Sequence, residues 1–460
     1  MNRSLRFGPQ TTPPRLRNPR LVYFVRSMFI PMVSLGLGLG ATAAIAQPVR
    51  ITPVPPPNAM QGQGAVLLDV LQKALSDHPA IKARQSDRNA AGFDLDGAKW
   101  GRFPSITVTA QADENSNQPN VARDQRVARL EQPIWAGGRI SSTIDLADAQ
   151  LTAADATLLG TQQEVLQQTA TAFFEVLRLE ARLQAAKENT AEHIKLLDLI
   201  KRRVELEASP ESDRTVAESR AQLAKSEEIT INRQLETLRL QLDQLVGSPV
   251  GPLRRPPPVK LRSYATEEDA LKAALEFSPQ RRASLAQADA AAAETGIAKS
   301  RNWPNLVAGY QQVWQTVNGT SVSDGQGFVG LQFQPGAGLS SLSAARAADS
   351  RRQAAVDNVA TADRQVTAGI GAAMSDMANF GAQVEPARIT VRGTEEVVES
   401  YLRQYQIGRK GWLDVLNAQR EKSQAKAALS DVEYSLELSK LRFMLLTGDV
   451  TSSTLSSIHD

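Results

Sequence analysis

The chain has 460 residues, no cysteine, three histidines and a formal net charge of +3. The lack of cysteine excludes disulfides, thiol chemistry and an N-terminal lipid carried on a cysteine after a leader. Residues 1–46 hold six arginines and no other charged residue, so the remainder carries a formal −3. The clustered excess of Lys and Arg that nucleic-acid binding normally rests on is therefore missing.

In chain order, Arg3, Arg6, Arg15, Arg17, Arg20 and Arg26 precede an apolar run from Met28 to Ile45 that closes on Ala44-Ile45-Ala46. This order of charged, apolar and small-residue regions predicts a secretory signal peptide over 1–46, cut after Ala46 with Ala44 as the other small site residue. Residues 47–65 form a Pro-rich extended arm. No later apolar stretch reaches the roughly 20 residues a spanning helix needs, so any membrane crossing falls to strands. No catalytic motif, cofactor loop or metal-ligand spacing is present. His78, His193 and His459 are far apart and read as two solvated helix residues and a tail residue. An enzyme is not expected, and neither is a cofactor.

The chain repeats itself. Asp69 to Pro79 aligns with Glu268 to Pro279, Ala98-Lys99 and Phe103-Pro104 match Ala298-Lys299 and Trp303-Pro304, and Gln132-Pro133 matches Gln334-Pro335. Val204, Asp213, Ala217 and Leu245-Val-Gly247 then fall opposite Tyr405, Asp414, Ala418 and Leu446-Thr-Gly448. Two structural repeats follow, 66–247 and 264–448, joined by a Pro-rich linker over 248–263 and followed by a polar tail at 449–460.

Each repeat has one plan. Two short helical stretches end at prolines; the pattern then alternates, with Ile106, Val108, Ala110 and Ala112 interleaving with Ser105, Thr107, Thr109 and Gln111. Period two predicts strands at 105–112 and 126–135 in the first half, and at 305–316 and 328–335 in the second, each pair closed by a polar turn. Arg129 and Glu131 share one face, and Val329, Leu331 and Phe333 share another. Long Ala-rich helices are expected over 138–207 and 212–246, and again over 338–408 and 412–446. Leu158, Val165, Ala172, Leu179 and Ala186 recur every seven residues beside a second row of Leu159, Leu166 and Phe173. Such a double row suits a helix with neighbours on two sides, as in a ring of helices.

The fold class is therefore mainly α with short membrane β. Four half-polar strands cannot close a membrane barrel, because open edges are not tolerated in lipid and single-chain barrels begin at about eight strands. Several chains must pool their hairpins, and the long helices are then pooled into a tube.

At this point the chain resembles the TolC-type outer-membrane efflux and secretion proteins over nearly all of its length beyond the leader. The most specific segment is Tyr405-Gln-Ile-Gly-Arg-Lys-Gly-Trp-Leu-Asp-Val-Leu-Asn-Ala-Gln-Arg420, similar to the family's periplasmic turn between two long helices. The resemblance implies a homotrimer whose twelve strands form one β-barrel, continued by a long α-helical barrel into the periplasm. It also implies contact with outer-membrane lipid, and partners in an adaptor (membrane fusion) protein and an inner-membrane pump.

By the same resemblance, Asp414 and Asn417 match positions that narrow the entrance with acidic side chains, Asn417 standing where an acid is often found. A helix-capping role for Asp414 stands beside the gating one. Tyr405 and Lys410 match positions that hold the tip closed, with a solvated surface charge the other reading of Lys410. Asp213 is the first-half counterpart of Asp414. There, Glu207-Ala-Ser-Pro-Glu replaces the usual Gly-containing turn. Gly411, Trp412 and Leu413 are candidates for adaptor docking, with Trp412 either an exposed anchor or buried between helices. The tip resembles secretion-associated members, which makes type I protein secretion the first reading and small-molecule efflux the second. A periplasmic coiled-coil adaptor or structural rod is the reading from another class, and the alternating hairpins speak against it.

Overall fold

The computed structural model describes residues 65–112, 124–262, 264–317 and 320–452. The expected leader, with Ala44 and Ala46, the body of the Pro-rich arm, and His459 lie outside them.

The first half runs α1 (Leu67–Asp77), α2 (Pro79–Trp100), β1 (Ser105–Ala112), β2 (Asp124–Trp135), α3 (Arg139–Glu205) and α4 (Glu211–Val246). The second runs α5 (Glu267–Phe277), α6 (Pro279–Ser300), β3 (Asn305–Val317), β4 (Thr320–Gln332), α7 (Ser340–Gln406) and α8 (Trp412–Thr447). The prolines that end α1 and α5 are the first residues of α2 and α6, where a missing N–H costs nothing and a fixed φ suits the helix. His78 caps α2, its Nδ1 accepting from the Ala80 N–H at 3.3 Å, so it is a capping residue and not a bystander.

Helices α3 and α7 have 67 residues each, about 100 Å at 1.5 Å per residue. Beside the strands the helices neighbour one another in the order α2, α3, α6, α7; toward the far end the order is α4, α3, α8, α7. Each level is thus a row of four helices with an unpartnered helix at either side. The largest apolar cluster sits midway, where α1 lies on α3 and α4: Phe173 and Phe174 meet edge to face at 5.8 Å among Val70, Leu71, Leu242 and Leu441. Val165, Leu166, Ala172, Phe173, Leu179 and Ala186 of the doubled heptad rows are buried in this cluster, while Leu158 and Leu159 are only partly buried. The linker is held to α8, where Glu433 accepts from Arg255 (3.0 Å) and from Arg388 of α7 (2.9 Å). Burial alone would raise the Glu433 carboxyl, but the two guanidiniums hold it below the ordinary range.

The four strands form one antiparallel sheet in the order β1-β2-β3-β4, with both outer edges unpaired among the described residues. Among the described residues no helix is long and apolar enough to cross a membrane. The return strand β4 begins at Thr320 instead of the expected Phe328, and ends at Gln332 instead of Pro335. Ser321, Ser323 and Gly325 read as turn residues, yet they pair with Thr316, Trp314 and Gln312. A side chain at Gly325 would collide with the Tyr310 hydroxyl, so the glycine makes room for an aromatic in a strand and does not mark a turn.

Candidate functional site

Pairing puts Thr107, Arg129, Gln311 and Gln326 in one row across the sheet, and Ile106, Leu130, Tyr310 and Gly327 in the next. Adjacent rows point to opposite faces. On the first face Arg129 donates to Gln311 Oε1 at 2.7 Å, lies 3.8 Å from Glu131, and stacks over Phe328 at 5.1 Å. On the other, Ile106, Val108, Leu130, Tyr310, Trp314, Val329 and Leu331 stand exposed. A polar inside and an apolar outside is the pattern of a membrane barrel wall. Where strands meet helices, Trp135 and Trp303 stack edge to face at 6.1 Å, as interfacial aromatics do.

At the far end the helix pairs α3/α4 and α7/α8 close in two turns of one geometry. Ala208 N–H donates to Arg203 C=O at 2.7 Å and Glu207 N–H to Val204 C=O at 2.9 Å; Arg409 to Gln404 and Gly408 to Tyr405 repeat this at 2.9 and 3.0 Å. Both are Schellman closures, which need a left-handed residue after the helix. Gly408 has φ 72°, and Glu207 takes the same place at φ 55°. The first tip keeps the family's turn although it lacks the glycine, at a cost of roughly 1 kcal/mol for the Cβ. Glu207→Gly is expected to return about that amount, read as a rise in the thermal midpoint of the purified protein.

Asp414 caps α8, its Oδ2 accepting from the Gly411 N–H at 3.2 Å, while Lys410 Nζ lies 3.9 Å from the same oxygen and 4.4 Å from the Tyr401 ring centroid. Its carboxylate remains exposed, so capping leaves it available to solvent and passing ions. Tyr405 is buried, its hydroxyl without a partner among the described residues and its ring 5.2 Å from the Arg203 guanidinium. Trp412 is 8 % exposed and packs with Leu196, Ile200, Tyr405 and Leu416, whereas Leu413 is 49 % exposed. Trp412 is therefore buried between helices, and Leu413, Leu206 and Ile407 are the apolar side chains the tips present. Asn417, three residues beyond Asp414 on α8 and exposed like it, lines a groove of about 150 Å³ shared with His193, Arg220 and Arg420. Asp213 is half-buried at the start of α4, in the other tip.

His193 departs from the solvated helix position expected. It is buried on α3 against α4 and α8, and burial, with Arg220 adding to it, pushes its imidazole below the usual range. Arg203 and Leu206 fall in the first-half tip segment, Arg203 to Arg220, that the repeat predicts, but neither was singled out there as a functional residue. Their alignment with Gln404 and Ile407, 201 residues on, was the available signal.

The family model described as outer membrane efflux protein matches residues 70–248 and 270–449, one match per repeat. The chain belongs to this family. The outer membrane protein TolC of Vibrio cholerae serotype O1 is 22 % identical over 417 residues, covering 85 % of this chain and 93 % of that protein. The cobalt-zinc-cadmium resistance protein CzcC of Cupriavidus metallidurans is 24 % identical over 416 residues, covering 87 % and 94 %. The outer-membrane protein VceC from Vibrio cholerae has the same fold, with a TM-score of 0.73 at 18 % identity over 83 % of this chain and 96 % of that one. As an outer membrane efflux protein the chain is a channel and not an enzyme, located in the outer membrane and reaching into the periplasm.

Proposed function

We propose that this outer-membrane efflux channel is a homotrimer serving as the exit duct of a type I protein secretion system, docked at its tips to an adaptor protein and an inner-membrane pump. The observation that carries the oligomer is the four-stranded sheet with two edges unpaired among the described residues, matched by four-helix rows with an unpartnered helix at each side. Three such chains make a barrel of about twelve strands, within the range of membrane barrels. The tip segment Gly411 to Arg420 supports the secretion reading, being similar to that of secretion-associated members. Likeness over most of the chain to CzcC, named for cobalt, zinc and cadmium resistance, favours small-molecule or metal-ion efflux as the second reading. A deletion strain that loses a secreted protein while keeping its drug and metal susceptibility supports secretion; the reverse outcome supports efflux.

Asp414 acts as both cap and gate in this reading. Three exposed carboxylates around a threefold axis concentrate cations at the entrance. Tyr405 and Lys410 hold the tip closed, and Asp213 occupies the matching place in the first tip. With Trp412 buried, Gly411 and Leu413 are the docking residues. Asp414→Ala should lower the cation preference of single channels in a planar bilayer several-fold. Unchanged ion selectivity would leave the carboxylate with capping alone.

A further inference from the structure

The junction between sheet and helices carries a charge pattern that conduction does not require. Residues 97–112, 132–144, 297–317 and 325–348 together contain Lys99, Arg102, Arg139, Lys299, Arg301 and Arg346 but not one Asp or Glu. These are the ends of α2 and α6, the starts of α3 and α7, and the strand segments beside them. All six cations are exposed. Lys99 reaches Asp96 at 3.2 Å; the other five make no ion pair among the described residues. Both repeats contribute: Lys99 matches Lys299, and each half adds an arginine in the turn that follows, Arg102 in the first and Arg301, one place earlier, in the second.

The neighbourhood says what such a collar faces. It borders the apolar outer face of the sheet directly, and the stacked Trp135 and Trp303 lie at the same level, two residues beyond Arg301. Deeper along the helices Asp145, Asp148 and Asp289 surround one groove of α3 and α6. Arginines deeper along the helices, Arg88, Arg281 and Arg352, are paired with Asp155, Asp363 and Asp349, whereas five of the six collar cations have no ion-pair partner among the described residues, and they lie where the lipid-facing wall ends. We propose that this collar binds the phosphate headgroups of anionic phospholipids in the periplasmic leaflet of the outer membrane, fixing the depth at which the channel sits. Cations held near a membrane surface attract anionic lipid, and the attraction is screened by salt.

The test uses the full-length channel reconstituted in vesicles of phosphatidylcholine mixed with brominated phosphatidylglycerol, which quenches nearby tryptophan. The wild type should show an association constant for phosphatidylglycerol at least about threefold above that for brominated phosphatidylcholine, falling toward one in 1 M KCl. The quadruple variant Arg102→Gln/Arg139→Gln/Lys299→Gln/Arg301→Gln should lose the preference while still forming heat-resistant oligomers that conduct. A wild type without preference, a preference untouched by 1 M KCl, or a conducting variant that retains it overturns the proposal. Conducting oligomers without lipid preference would leave the channel reading intact, so the two fail separately.

Discussion

Val108→Arg is expected to deplete the protein from the outer membrane, while Thr109→Arg, one residue away, leaves it there with altered ion selectivity. Val108 stands on the exposed apolar face in the middle of β1, and Thr109 on the polar face opposite Val127. An arginine facing lipid near the bilayer midplane costs roughly 2–4 kcal/mol, whereas a lumen-facing one is hydrated. If three chains close the barrel, the cost is paid three times per particle, which exceeds what most assemblies can absorb. The measurement is the amount of heat-resistant oligomer in outer-membrane fractions, followed by reversal potentials of the surviving channel in a salt gradient. Equal loss from both substitutions would mean that the two faces are not lipid and lumen.

Trp412→Ala is expected to destabilise the tip by roughly 3–5 kcal/mol, the usual cost of emptying a buried tryptophan site. The ring fills the space between α3, α7 and α8, against Leu196, Ile200, Tyr405 and Leu416. It shares that cluster with Ala217 of α4, so its loss loosens both helix pairs at the level of Asp414. A larger and noisier single-channel conductance should accompany the loss of stability. Leu413→Ala, at an exposed position, should stay within about 0.5 kcal/mol of wild type while weakening capture of the adaptor. Unchanged conductance in Trp412→Ala together with lost export would return the tryptophan to a docking role.

The long helices were legible because their evidence is redundant: the apolar rows through Val165, Ala172 and Leu179 repeat over many turns, and those residues are buried. β1 was equally plain, since Ile106 and Val108 alternate with Ser and Thr without interruption. β4 was misread at its start because its glycines are there for a partner strand: Gly325 and Gly327 lie opposite Gln312 and Tyr310, and pairing across a sheet leaves no mark on local periodicity. Glu207 hid the first tip for the opposite reason. Hydrogen bonds from the N–H groups of Glu207 itself and of Ala208 enforce a left-handed turn that propensity alone disfavours. His193 and Trp412 show the limit for single residues on long helices. Near the tip α3 packs against both α4 and α8 at His193 while its neighbours Ile194 and Lys195 stay exposed, so polarity there does not report exposure.

Closure by copies of the same chain is the step from which lumen, gate and lipid face all follow, and the mass of the particle tests it directly. Native mass spectrometry of protein extracted from outer membranes in mild detergent should give the mass of three chains, with heating releasing single chains. A particle of one or two chains would contradict a threefold conduit and remove the ring of Asp414 carboxylates.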